Sequence, residues 1–190
     1  MKGKEGKSFS IINGFMVCLA LIVGFLFICP AYAGTAQEIN ASVNVALKRF
    51  TQEVKGGQEF LNASKGVLVM PRVKKAGFVV GGQYGEGALM IAKKTVGYYN
   101  LIAGSVGFQI GAQEMNIILC FMDEKALGKF RSASGWEAGV DGNITLVNVG
   151  AGGSIDTTKI KEPIVGFVFG QKGLMADVSL KGAKFTKVKK

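Results

Sequence analysis

The sequence predicts an α+β domain: an N-terminal amphipathic helix packed on a glycine-rich, curved antiparallel β-sheet. Three observations carry this. First, Ile39, Val43, Leu47, Phe50 and Val54 are spaced 4, 4, 3 and 4. At ~100° per residue they fall within an arc of roughly 80°, the stripe of a helix with one buried side. Second, the chain beyond Ala63 breaks into short apolar runs with period-2 alternation, punctuated by many of its 28 glycines. That is the pattern of antiparallel strands with bulges and sharp bends. Third, 190 residues with 48 % hydrophobic content suit one domain with a real core.

The elements follow in order. Lys2, Lys4 and Lys7 precede an uncharged stretch from Ser8 to Ala33, apolar from Phe15 to Cys29 and closed by Pro30-Ala31-Tyr32-Ala33. A basic start, an apolar centre and an A-x-A end are the parts of a secretory signal peptide. Residues 1–33 are therefore expected to be a leader, cleaved after Ala33. The competing reading is an uncleaved anchor, since Ile11 to Ile28 reaches the lower edge of a bilayer span. The domain is expected over 34–190, exported and, if bacterial, periplasmic or envelope-associated.

The helix is expected from Gly34 to about Ala63, ended or interrupted by Gly56-Gly57. It is either an ordinary helix on a sheet or one that also faces a membrane surface. Strands are expected at Gly66–Met70, closed by Pro71, at Gly77–Gly81, at Ala88–Ala92 beyond a glycine cluster, at Ser105–Ile110 and at Glu114–Met122. Asp123 is positioned to cap a short helix, Glu124–Phe130. Strands resume over Trp136–Val149, Gly150–Lys161 reads as a polar loop, and Ile164–Phe169 with Leu174–Leu180 read as a hairpin around Gly170–Gly173.

The composition narrows the chemistry. With no histidine there is no Ser-His-Asp triad, no Cys-His pair and no HExxH zinc site. Cys18 and Cys29 fall in the leader, so Cys120 stands alone in an apolar run, Ile117 to Met122, and reads as a buried inert thiol. The carboxylates are scattered, and nothing selects an acid/base pair among them. The glycine clusters do not open onto helices and lack the GK[ST] ending, so nucleotide binding is not expected. No enzyme activity and no cofactor or metal are expected.

The net charge is +10. Loss of Lys2, Lys4, Lys7 and Glu5 with the leader leaves +8, and setting aside the basic tail 181–190, with five lysines and no acid, leaves +3. Within the body, Lys65, Arg72, Lys74 and Lys75 bracket Pro71, Lys48, Arg49 and Lys55 lie off the apolar stripe of the helix, and Lys93-Lys94 follow a strand. Clustered cations near loops attract anionic head groups; the plain alternative is a solvated surface. Nucleic acid is a poorer partner, because the basic segments lack interleaved aromatics.

Two glycine-rich segments, Lys75-Ala76-Gly77-Phe78-Val79-Val80-Gly81-Gly82-Gln83-Tyr84-Gly85-Glu86-Gly87 and Gly104-Ser105-Val106-Gly107-Phe108-Gln109-Ile110-Gly111-Ala112-Gln113, and the closing Lys172-Gly173-Leu174-Met175-Ala176-Asp177-Val178-Ser179-Leu180-Lys181-Gly182 occur in that order. Together they resemble the SYLF domain, also called the Ysc-type actin-binding domain, over roughly Ile39 to Val188. The resemblance implies a non-enzymatic lipid-binding module of the exported bacterial branch. Eukaryotic members associate with phosphoinositide-rich membranes through a basic N-terminal helix, and with actin filaments. The Trp-Ser-x-Pro segment common between the glycine motifs is here Gly97-Tyr98-Tyr99-Asn100-Leu101, and the helix is less basic than in strong phosphoinositide binders. The expectation is an anionic lipid or membrane surface as partner, with Lys48, Arg49, Lys55, Lys65, Arg72, Lys74 and Lys75 as candidate binding residues. The alternative is a protein-interaction or structural module of the envelope, an actin-binding-like scaffold with an envelope protein as partner.

Overall fold

Thr35 sets where the first helix begins. In the computed structural model, which describes residues 34–78, 80–106, 111–149, 161–173 and 178–190 (backbone only at 78, 105 and 106), its hydroxyl accepts from the Glu38 N–H at 3.2 Å. The Glu38 carboxylate accepts from the Thr35 N–H at 2.8 Å, completing a capping box. Helix α1 runs Ala36–Glu53 and buries Ile39, Val43 and Phe50, as the stripe predicts, and Ala46 beside them, with Leu47 only half-buried. Gly56, at φ 82, breaks the chain into a second helix, α2 (Gly57–Ala63). The expected interruption therefore falls where glycine can take the left-handed turn.

Eight strands form one sheet among the described residues, in the order β5-β8-β3-β2-β1-β4-β7-β6. They are β1 Gly66–Phe78, β2 Val80–Ile91, β3 Lys94–Val106, β4 Gly111–Phe121, β5 Gly135–Glu137, β6 Thr145–Asn148, β7 Ile164–Gly173 and β8 Lys184–Val188. Asp123 caps α3 (Glu124–Ser132), accepting from the Ala126 N–H at 2.6 Å.

Strand alternation splits the core into two sides. On β4, Met115, Ile117, Leu119 and Phe121 join the inner cluster, while Ile118 and Cys120 join the outer one. The sheet curls around the inner cluster until its ends approach: a methyl group on Gly142 would lie 2.8 Å from Trp136 of β5 and 3.7 Å from Ile164 of β7. α3 fills this interior with Phe130, whose ring lies 4.9 Å from those of Tyr99 and Phe121 and 5.5 Å from that of Trp136. The outer cluster is where α1 and α2 dock. Phe50 and Phe60 meet Phe167 at 5.1 and 4.9 Å. Cys120 is buried there, and desolvation pushes its thiol up to about 12, so it is the inert thiol the apolar run predicts.

The α+β class stands, with four local corrections. Pro71 does not close a strand: β1 runs on to Phe78 through a bulge at Pro71-Arg72, where the register shifts and Arg72 takes φ 50. The Arg72 N–H left over by the bulge donates to Asn116 Oδ1 at 3.2 Å, so the lost ladder partner is replaced. The glycine cluster before Ala88 lies inside β2, because its period-2 small residues face the bulged β1. The sheet is not wholly antiparallel: β6 pairs with β7 in parallel, and the 15 residues between them are long enough for a crossover. Finally, β7 extends through Gly173, and 178–180 are not a strand. The polar loop at 150–160, residues 107–110 of the expected Ser105–Ile110 strand and 174–177 of the expected hairpin lie outside the described residues. The basic segment 181–190 contains β8, which sits between β5 and β3.

Candidate functional site

α1 crosses the outer face of the sheet and leaves a groove on each flank. Its polar face supplies one side of both, because residues off the apolar stripe project to left and right of the buried line.

One groove, of about 320 Å³, lies between α1, the bulge of β1 and the strands β4 and β7. Arg49, Arg72 and Lys172 bring positive charge to it, and Val45, 68 % exposed, stands at its edge. These charges are already engaged. Arg49 pairs with Glu53 one turn on. Arg72 donates to Ser42 Oγ at 2.9 Å. Glu114 is the cross-strand neighbour of both Lys74 and Lys172.

The other groove is larger, about 770 Å³, and lies between α1, α2 and the start of β1. Lys48, Lys65 and Lys93 rim it, and Leu47, Leu61, Val67 and Met90 contribute apolar floor; none of its lining residues is acidic. Its size suits a small ligand or head group. Lys93 reaches the rim through an uncommon turn. Ala92 and Lys93 take φ 48 and 64, so β2 and β3 are joined by two consecutive left-handed residues without glycine or asparagine. Left-handed conformation costs about 1–2 kcal/mol per non-glycine residue. Ala92→Gly is therefore expected to raise the unfolding free energy by about 0.5–1 kcal/mol, part of the strain relief being offset by unfolded-state entropy; urea denaturation measures it.

The candidate residues separate cleanly. Lys48 and Lys65 share the larger groove, and Arg49 and Arg72 share the smaller. Lys55 is exposed at the α1–α2 junction, and Lys74 is exposed on the outer face beside Glu114. Lys75 does not belong with them. Alternation turns it to the inner face, where it is 4 % exposed, in one cross-strand row with Gln83 and Gln113. A buried lysine presents no charge to a surface. Lys172 and Lys93 were missed as site residues. Lys172 joins Arg49 only through the β4–β7 pairing, whereas the Lys93-Lys94 pair was visible but its turn was not. Among the described residues no helix is long and apolar enough to cross a membrane, and the expected leader lies outside them.

A helix laid over a curled sheet, with cation-lined grooves on both flanks, defines a binding module. Residues 102–190 match the family model Ysc84, described as Las17-binding protein actin regulator, and over that segment the chain is similar to this family. The match agrees with the resemblance carried by the second glycine motif and the closing motif, and it takes in β4 to β8 and α3. α1, α2 and the larger groove precede it. No curated protein matches the chain.

Proposed function

We propose that this chain is an exported, non-enzymatic module that binds anionic lipid at a membrane surface through the larger groove. One observation carries the reading: three lysines surround an apolar floor with no acid in the lining. Cations above an apolar slot match an anionic head group above its acyl chain, and each charge near such a surface contributes about 1 kcal/mol. The family description, an actin regulator, supports a binding role but names a protein partner. Co-sedimentation with vesicles tests the lipid reading. Binding to phosphatidylglycerol vesicles, weak binding to phosphatidylcholine vesicles and loss of binding at high salt are expected; equal binding to both, independent of salt, overturns it.

A second reading, an envelope protein-interaction module, is favoured by one further feature. Beyond the end of α1, Tyr84 and Ile102 are exposed on neighbouring strands at 41 % and 54 %, and Val80 at 67 %. Specific capture of an envelope protein with no vesicle binding would support this reading in place of the first.

A further inference from the structure

Gly34 is the residue that follows the expected cleavage site, and its nitrogen is held at one place in the fold. The Gly34 N–H donates to Glu86 Oε2 at 2.7 Å. The other oxygen of Glu86 accepts from Lys190 Nζ at 2.7 Å. The ion pair is well enclosed, with side-chain exposures of 14 % for Glu86 and 9 % for Lys190. Glu86 lies on β2, so one carboxylate ties the start of the domain and Lys190, two residues beyond β8, to the middle of the sheet. Thr35, the cap of α1, follows at once, so whatever fixes Gly34 also fixes the end of the helix that builds both grooves.

We propose that Glu86 is the receptor for the mature α-amino terminus, and that cleavage between Ala33 and Gly34 locks α1 onto the sheet. This rests on the reading of residues 1–33 as a cleaved leader. Hydrolysis adds water across the peptide bond: Ala33 leaves with a new carboxylate, and the Gly34 nitrogen becomes an ammonium. The atom that donates a neutral hydrogen bond before cleavage then carries a full positive charge against a carboxylate that is already in place. The acceptor is ionised before cleavage; cleavage charges the donor as well and adds the attraction of a full ion pair to the hydrogen bond. Burial by itself raises the Glu86 pKa, but hydrogen bonds from Lys190, the Gly34 N–H and Tyr84, with the Lys190 charge, together bring it below the usual carboxylate value, so it is charged and able to accept. The other titratable groups around the amine are Lys190 and Tyr84 on the sheet side and Glu38 on the first turn of α1, the last already engaged by Thr35.

The sign of the pH dependence follows. An amine that gains a carboxylate partner has a folded pKa above its ordinary ~7.7–8.0. Its contribution is full below that range and is lost as pH rises through the folded value.

The test begins with the full chain expressed with its leader. Intact mass and N-terminal sequencing of the exported protein are expected to show Gly34 first; a cut elsewhere, or none, overturns the inference and leaves vesicle binding to judge the lipid reading separately. Residues 34–190 form one compact unit containing both core clusters, so this part can be tested alone. A chain starting at Gly34 is compared with one starting at Ala33, whose charged amine lies one residue further out. The Gly34 chain is expected to melt roughly 2–6 °C higher at pH 7. The difference is expected to shrink above pH 9 and to vanish when both carry Glu86→Gln. Lys190 and Tyr84 are common to both chains and cancel. Equal melting of the two chains with Glu86 intact, which needs no substituted variant to fold, overturns the clamp.

Discussion

Gly87→Ala is expected to destabilise the domain by more than about 4 kcal/mol, enough to leave little folded protein. Gly87 sits in β2 opposite the bulge of β1, and an added Cβ would overlap the Val69 carbonyl oxygen and come within 2.6 Å of Met70 Sδ. The obstacle is backbone, which cannot rotate away as a side-chain tip can. Overpacking a core costs about 1–3 kcal/mol when side chains can yield, and more when they cannot. Gly85, one alternation earlier, is confined by a side chain instead, its added Cβ lying 2.7 Å from Val73 Cγ2. The bulge thus presses β1 onto β2, and glycine at both positions allows the contact. Gly104→Ala, on β3 of the same sheet, is the control. Nothing lies within 4 Å of its Cβ position, so a change within about 0.5 kcal/mol or a slight gain is expected. Urea melts of the two variants against the parent measure the contrast.

The same region shows how far the sequence could be read. Period and spacing carried the α1 stripe, the Asp123 cap and the buried Cys120, because each is a local rule that one segment obeys alone. Pro71 misled, since a proline mid-strand ordinarily ends it; here the bulge places Arg72 in the left-handed region, and Asn116 from β4 repairs the hydrogen bonding. That repair joins residues 44 apart and has no local signature. The glycines of 81–87 look like a cluster preceding a strand for a similar reason: their need arises from β1, and only the pairing of the two strands shows it. Charge was legible as composition but not as place. Lys74 and Lys75 are neighbours in sequence and lie on opposite faces of the sheet, one exposed and one buried. Lys48 and Arg49 are neighbours on α1 and line different grooves.

That division of Lys48 from Arg49 makes the lipid reading testable residue by residue. Reversing Lys48, Lys65 and Lys93 together to Glu is expected to abolish binding to anionic vesicles, a loss of more than about a hundredfold. Three attractions of about 1 kcal/mol each are removed and three repulsions of similar size take their place. All three side chains are exposed, so the fold is expected to survive, as circular dichroism and an unchanged melt would show. Arg49→Glu with Arg72→Glu is expected to weaken binding far less. Glu53 pairs with Arg49 and Glu114 stands beside Lys172, so less uncompensated charge faces solvent there, and the Arg72 guanidinium is held by Ser42. Lys75→Met is expected to leave binding unchanged, because its side chain lies inside the sheet. If the arginine pair were to matter more than the lysine triad, the smaller groove would be the docking site. If neither mattered while the parent bound, the exposed apolar residues beyond α1 would carry the contact, and binding would then persist at high salt.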